Sequence, residues 1–167
     1  MGYTTDFSGE FTITPTLSPE LRNYLAKFSR TRRMGRHHHM LPLAGEGGMY
    51  SPCNSNGSPW WGVEGEYYIY GGGDFGQGEE PNVIDHNVSP RTQPSLWCDW
   101  VPNEDGTHLQ WNGSEKFYAY VKWLKYLITN FFAPLGYSLN GEVQWRGEEW
   151  EDTGFIIVKN NVVSMTR

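Results

Sequence analysis

Four arginines, Arg30, Arg32, Arg33 and Arg36, fall within seven residues of an otherwise acidic chain. Guanidinium forks bind phosphate and carboxylate oxygens in bidentate fashion, so such a cluster is a candidate anion site. Aromatic residues follow it at Trp60, Trp61, Tyr67, Tyr68 and Tyr70. Rings of this kind stack on a base while arginines hold its phosphate. Arg30, Arg32, Arg33, Arg36, Trp60, Trp61, Tyr68 and Tyr70 are therefore the candidate residues for a small anionic, nucleotide-like ligand. The competing account is an ordinary basic helix end paired with glutamates from the acidic part of the chain.

Other constellations carry less chemistry. His37, His38 and His39 are adjacent, and adjacent histidines cannot all face one metal, so a site there needs Cys53, His86, Cys98 or His108 as well. The paired ligand spacings of zinc sites are absent, and no metal or cofactor is expected. Gly71, Gly73 and Gly76 satisfy G-x-G-x-x-G, but Gly78-Glu79-Glu80-Pro81 follows where a pyrophosphate needs a helix N-terminus. Asp85-His86-Asn87 offers a base beside a carboxylate, and Asp99 between Trp97 and Trp100 reads as a partly buried acid with a raised pKa. No nucleophile completes either set, and Asp and Asn in such a segment commonly hold turns. Glu142, Glu148, Glu149, Glu151 and Asp152 form an acidic edge that includes Trp145 and Trp150. If exposed, those two tryptophans suit a protein-protein hot spot; if buried, they are core.

The elements that position these residues are readable in part. The chain has 167 residues, 16% of them aromatic, and a net charge of -6, which fits one globular domain built on rings. Six of the thirteen Lys and Arg lie in the first 40 residues, against three acids there. The acidic remainder argues against extended nucleic-acid binding, because phosphate neutralisation needs a basic surface. No apolar run approaches membrane-spanning length, so a cytoplasmic protein with no membrane partner is expected. Cys53 and Cys98 make no disulfide framework, and reduced thiols are the default.

Residues 11–14 alternate as a strand. Ser18 is a good helix N-cap, Pro19 suits the first helical position, and Leu21, Tyr24, Leu25 and Phe28 form one apolar stripe. Residues 35–62 read as a mobile loop or insertion, and residues 66–70 as a strand. Residues 96–101 and 107–111 form a hairpin around Asp105-Gly106. A second helix starts near Ser114 and buries Phe117, Tyr120, Val121, Leu124, Leu127, Ile128 and Phe131, with Lys122, Lys125 and Thr129 outward. Strands at 142–147, 154–158 and 162–165 follow, the last two joined at Asn160-Asn161, a pair that tolerates the positive φ of a tight hairpin. The pattern predicts a single α+β domain over residues 1–167, a mainly antiparallel sheet with two helices packed on one face. The alternative is a ferredoxin-like split βαβ arrangement with added strands.

The blocks Gly2-Tyr3-Thr4-Thr5-Asp6-Phe7, Thr31-Arg32-Arg33-Met34, Gln93-Pro94-Ser95-Leu96-Trp97-Cys98-Asp99-Trp100, Glu115-Lys116-Phe117-Tyr118 and Gly141-Glu142-Val143-Gln144-Trp145 resemble a family of small uncharacterised bacterial and phage proteins. The similarity covers most of the chain outside residues 37–60. It implies an intracellular accessory protein of a phage or mobile element, and no activity, cofactor or catalytic residue. Together these observations lead to the expectation of a non-enzymatic binding protein for an anionic, nucleotide-like ligand. The alternatives are a protein-protein interaction module, such as an inhibitor of a host protein using Trp145 and Trp150, and a metal-assisted hydrolase.

Overall fold

The computed structural model describes residues 2–41, 61–70, 76–78 and 80–167. Trp60, Cys53, the glycines at 71 and 73, and most of the loop expected over 35–62 lie outside the described residues. The architecture is α+β: a six-stranded, mainly antiparallel sheet, a separate two-stranded sheet and two α-helices. In chain order the elements are β1 (Asp6–Thr14), α1 (Pro19–Ser29), β2 (Gly35–Arg36), β3 (Val83–Asp85), β4 (Trp100–Pro102), β5 (His108–Trp111), α2 (Tyr120–Leu127), β6 (Ser138–Arg146), β7 (Thr153–Lys159) and β8 (Val162–Met165). Two compact units form, one from residues 1–22 and 99–167 and the other from residues 23–98, with the boundary inside α1.

In the first unit the sheet runs β4-β5-β1-β6-β7-β8. β1 and β6 pair along nine residues, with Phe7 opposite Trp145, Phe11 opposite Gly141 and Ile13 opposite Leu139. Side chains alternate across a strand, so one face collects Phe7, Phe11, Ile13, Leu109, Leu139, Val143, Trp145, Ile156 and Val158, all buried. Phe7 lies at the centre of an aromatic cluster, 5.3 Å from the rings of Trp100 and Trp111 and 4.9 Å from Tyr120. These edge-to-face contacts suit the ring quadrupole and add to what burial alone contributes.

The helix expected from Ser114 starts later, at Tyr120. Lys116 and Ala119 have φ of 59° and 58°, left-handed values that a right-handed helix cannot contain. Residues 114–119 instead fold as an irregular connection that points Phe117 inward, where it is 2% exposed. Beyond Leu127 the helix widens into a π-helix over Ile128–Phe132. Leu124, Leu127, Ile128 and Phe131 are buried as the spacing predicts, as are Trp123, Tyr126 and Phe132, which the same spacing left unassigned; Tyr120 and Val121, expected on the buried face, are only half-buried.

The second unit holds the rest of α1, whose Tyr24, Leu25 and Phe28 are buried. The strand expected over 66–70 does not form. Its N–H groups at Glu66, Tyr67 and Tyr68 donate to nearby backbone carbonyls, and its own carbonyls are met by side chains: Arg33 donates to Glu66 O and Tyr68 O, Gln93 to Glu66 O, and Tyr24 to Tyr67 O. Tyr70 N donates to Thr31 Oγ1 at 2.9 Å. A buried backbone group needs a partner but not a strand partner, and here turn carbonyls serve the N–H groups while side chains of other segments serve the carbonyls. The short β2–β3 ladder, which pairs Gly35 with Asp85, has no counterpart among the expected strands.

Candidate functional site

The arginine cluster folds into the second unit rather than onto one surface. Arg33 and Arg36 are 3% and 2% exposed. Arg33 donates from Nε to Thr31 O at 3.1 Å and from Nη1 to Glu66 O at 3.1 Å, and its guanidinium sits 4.1 Å from the Phe28 ring. Arg36 donates to Asn82 Oδ1 at 2.8 Å and Gly76 O at 2.6 Å, and lies 4.2 Å over the Tyr68 ring. Tyr68 is itself buried, and that burial pushes its phenol pKa up to about 12 against the counteracting charge of Arg36. Trp61 and Tyr68 belong to a small core with Leu41, against which Tyr70 packs. Arginine and ring do meet, but as interior stacks that pin loop carbonyls. Arg32 is half-buried and donates to His86 O at 3.1 Å, and Arg30 is exposed.

The remaining candidates are also placed. His37, His38 and His39 are exposed, and among the described residues no group of three or more His, Cys, Asp or Glu can hold a metal ion. Asp85 Oδ1 accepts the backbone N–H of Asn87 at 2.9 Å, the turn-holding role that Asp side chains commonly take. Cys98 is fully buried. Asp99 is 4% exposed, and burial pushes its carboxyl up to about 6, with an Asn112 amide 3.3 Å away working in the opposite direction. The tryptophan pair of the acidic edge divides. Trp145 is 4% exposed and belongs to the core, whereas Trp150 is 78% exposed in the turn between β6 and β7.

Trp145 leads to a site that no motif announces. It forms one wall of a cavity of about 330 Å³ in the first unit. Tyr3, Phe117, Tyr118 and Tyr120 supply further rings, and Asp152 and Arg167 supply opposite charges. Five separate segments bring these residues together. The chain before β1 delivers Tyr3, the irregular connection and the first residue of α2 deliver Phe117 to Tyr120, β6 delivers Trp145, the β6–β7 turn delivers Asp152, and the end of β8 with the residues after it delivers Met165 and Arg167.

The polar groups are linked in a chain. The Tyr3 hydroxyl donates to Asp152 Oδ2 at 2.5 Å and accepts the backbone N–H of Glu148 at 3.1 Å. The Tyr118 hydroxyl accepts the backbone N–H of Tyr3 at 3.2 Å. Arg167 Nη2 donates to Asp152 Oδ1 at 2.5 Å. The Tyr3 bond first, and the Arg167 bond second, hold the Asp152 carboxyl below its ordinary range; the same bond to Asp152 raises the Tyr3 phenol. Two glycines make room for this arrangement. A Cβ at Gly147 would lie 2.3 Å from both Asp152 Oδ2 and the Tyr3 hydroxyl, and one at Gly154 would lie 2.1 Å from Thr166 O and 2.9 Å from Trp145 Nε1. That indole N–H is buried and has no acceptor, a state that costs free energy in a folded protein.

No protein-family model, curated protein or solved structure matches the chain. The geometry of the cavity therefore carries the functional argument. What it offers is recognition: ring faces, a charged carboxylate and a space of small-ligand size, the mixture of apolar wall and few polar groups that ligand pockets show.

Proposed function

We propose that the protein is a non-enzymatic binding protein whose ligand enters the aromatic cavity of the first unit. The observation that carries this reading is the convergence of Tyr3, Phe117, Tyr118, Tyr120 and Trp145 with Asp152 around one cavity of about 330 Å³. Rings that complete a core ordinarily close on one another, whereas these leave a space between them and keep Tyr118 50% exposed at its edge. The arginine cluster supports a phosphate-binding role less well, because Arg33 and Arg36 are buried and donate to carbonyl and amide oxygens within their own unit.

The test is a nuclear magnetic resonance screen of the intact protein with a library of small aromatic, cationic and anionic compounds. The resonances of the Trp145 indole N–H and the Met165 methyl are the reporters. Compounds that bind should move both, and Tyr118→Ala should weaken them about fivefold, as the loss of one ring contact worth about 1 kcal/mol implies. Shifts gathered around Arg32 with Trp145 unmoved, or no binding compound at all, would overturn the assignment.

A further inference from the structure

A cation already lines the cavity, and it comes from the chain itself. The guanidinium carbon of Arg167 lies 5.6 Å from the centroid of the Trp145 ring, within the ~6 Å over which a ring face attracts a cation. Its Nη2 is paired with Asp152 Oδ1, yet the Arg167 side chain is 74% exposed. Ion pairs so open to water contribute little and exchange readily. The receiving groups are fixed far better. Asp152 is held from its other oxygen by Tyr3, Tyr3 is held by the backbone N–H of Glu148, and Trp145 is buried in β6.

We propose that the cavity is a guanidinium-binding site, that Arg167 is its resident and displaceable occupant, and that the ligand it admits presents a guanidinium group in the same place. This inference rests on the reading of the cavity as the binding site and names the chemistry that the site selects. A guanidinium is planar, always charged, and able to pair with a carboxylate while stacking on a ring. Asp152 offers the carboxylate and Trp145, with Tyr3, Tyr118 and Tyr120 around it, offers the faces. An anionic ligand that displaced Arg167 would leave two negative charges together. A quaternary ammonium would use the rings but leave Asp152 Oδ1 with no donor. The Asp152 carboxyl, held below its ordinary range by the Tyr3 and Arg167 bonds, is charged at neutral pH, as this recognition requires.

The experiment is a titration of the intact protein with methylguanidinium, read at the Trp145 indole resonance, in the wild type and in Arg167→Ala, Arg167→Gln and Asp152→Asn. Both Arg167 variants should bind about threefold to fivefold more tightly, because a weakly held occupant tethered in the same molecule still competes for the site. Asp152→Asn should weaken binding about tenfold, in keeping with the loss of a charge-assisted bond. Equal affinity in the wild type and both Arg167 variants would overturn the proposal, as would tetramethylammonium binding as well as methylguanidinium. Arg167 is exposed, so its variants decide the question even if Asp152→Asn lowers the melting temperature. If neutral aromatic compounds move the Trp145 resonance and methylguanidinium does not, the cavity remains the binding site and the guanidinium assignment falls. If neither moves it, both fall.

Discussion

Asp99 is the residue whose chemistry was most legible in the sequence, since a carboxylate set between tryptophans has few ways to stay hydrated. With its folded pKa pushed up to about 6 from 3.8, the folded protein keeps a proton that the unfolded chain has already lost between those values. The stabilisation this gives is complete below about pH 4 and is lost as pH rises through about 6, a change of about 3 kcal/mol. Asp99→Asn should therefore be more stable than the wild type at about pH 8, with the advantage gone near pH 4. Urea unfolding at the two pH values measures it, and an advantage that grows toward acid would sink the assignment. The arginines were legible by type but not by direction. Nothing in Arg33 or Arg36 says whether a guanidinium will meet a phosphate or a backbone carbonyl. For Arg33 the outcome was set by the carbonyls of Glu66 and Tyr68, which no strand pairs, and for Arg36 by Gly76 O and Asn82 Oδ1.

Among the elements, local pattern was sufficient where the chain pairs with its near neighbours. The hairpin of β4 and β5, the β6 to β8 meander and the capped start of α1 follow from turn residues and alternation. Asn160 and Asn161 take φ of 46° and 70°, as the tight connection between β7 and β8 demands. Ser18 Oγ accepts the Leu21 N–H at 3.2 Å, completing the expected cap. α2 was legible in its buried face and not in its start, because the left-handed turns at Lys116 and Ala119 are imposed where Phe117 packs into the ring cluster. Phe131, fully buried, should cost about 4 kcal/mol when replaced by alanine. Thr129→Ala, on the exposed face of the same segment, should change stability by less than about 0.5 kcal/mol. Denaturant midpoints of the two variants test this, and similar losses would mean that the face is assigned wrongly.

For the whole molecule, stability should differ between the two sheets. β1, β6 and β7 pair over long registers on a buried face, whereas β2 contributes two residues to an isolated ladder. Amides open least where many buried contacts must break together. Hydrogen exchange should be slowest at Phe11, Val143 and Ile156 and faster by orders of magnitude at Gly35 and Val83; uniform protection would contradict this picture. The α+β class, the identity of most strands and the ring-built core were determined by the sequence alone, because alternation, capping and turn chemistry act over a few residues. The cavity was not. Tyr3, Tyr118, Trp145, Asp152 and Arg167 span almost the whole chain, and each one read singly is an ordinary surface or core residue. Only the long pairing of β1 with β6, and the glycines that leave space beside Asp152 and Trp145, bring those rings, that carboxylate and that guanidinium within contact.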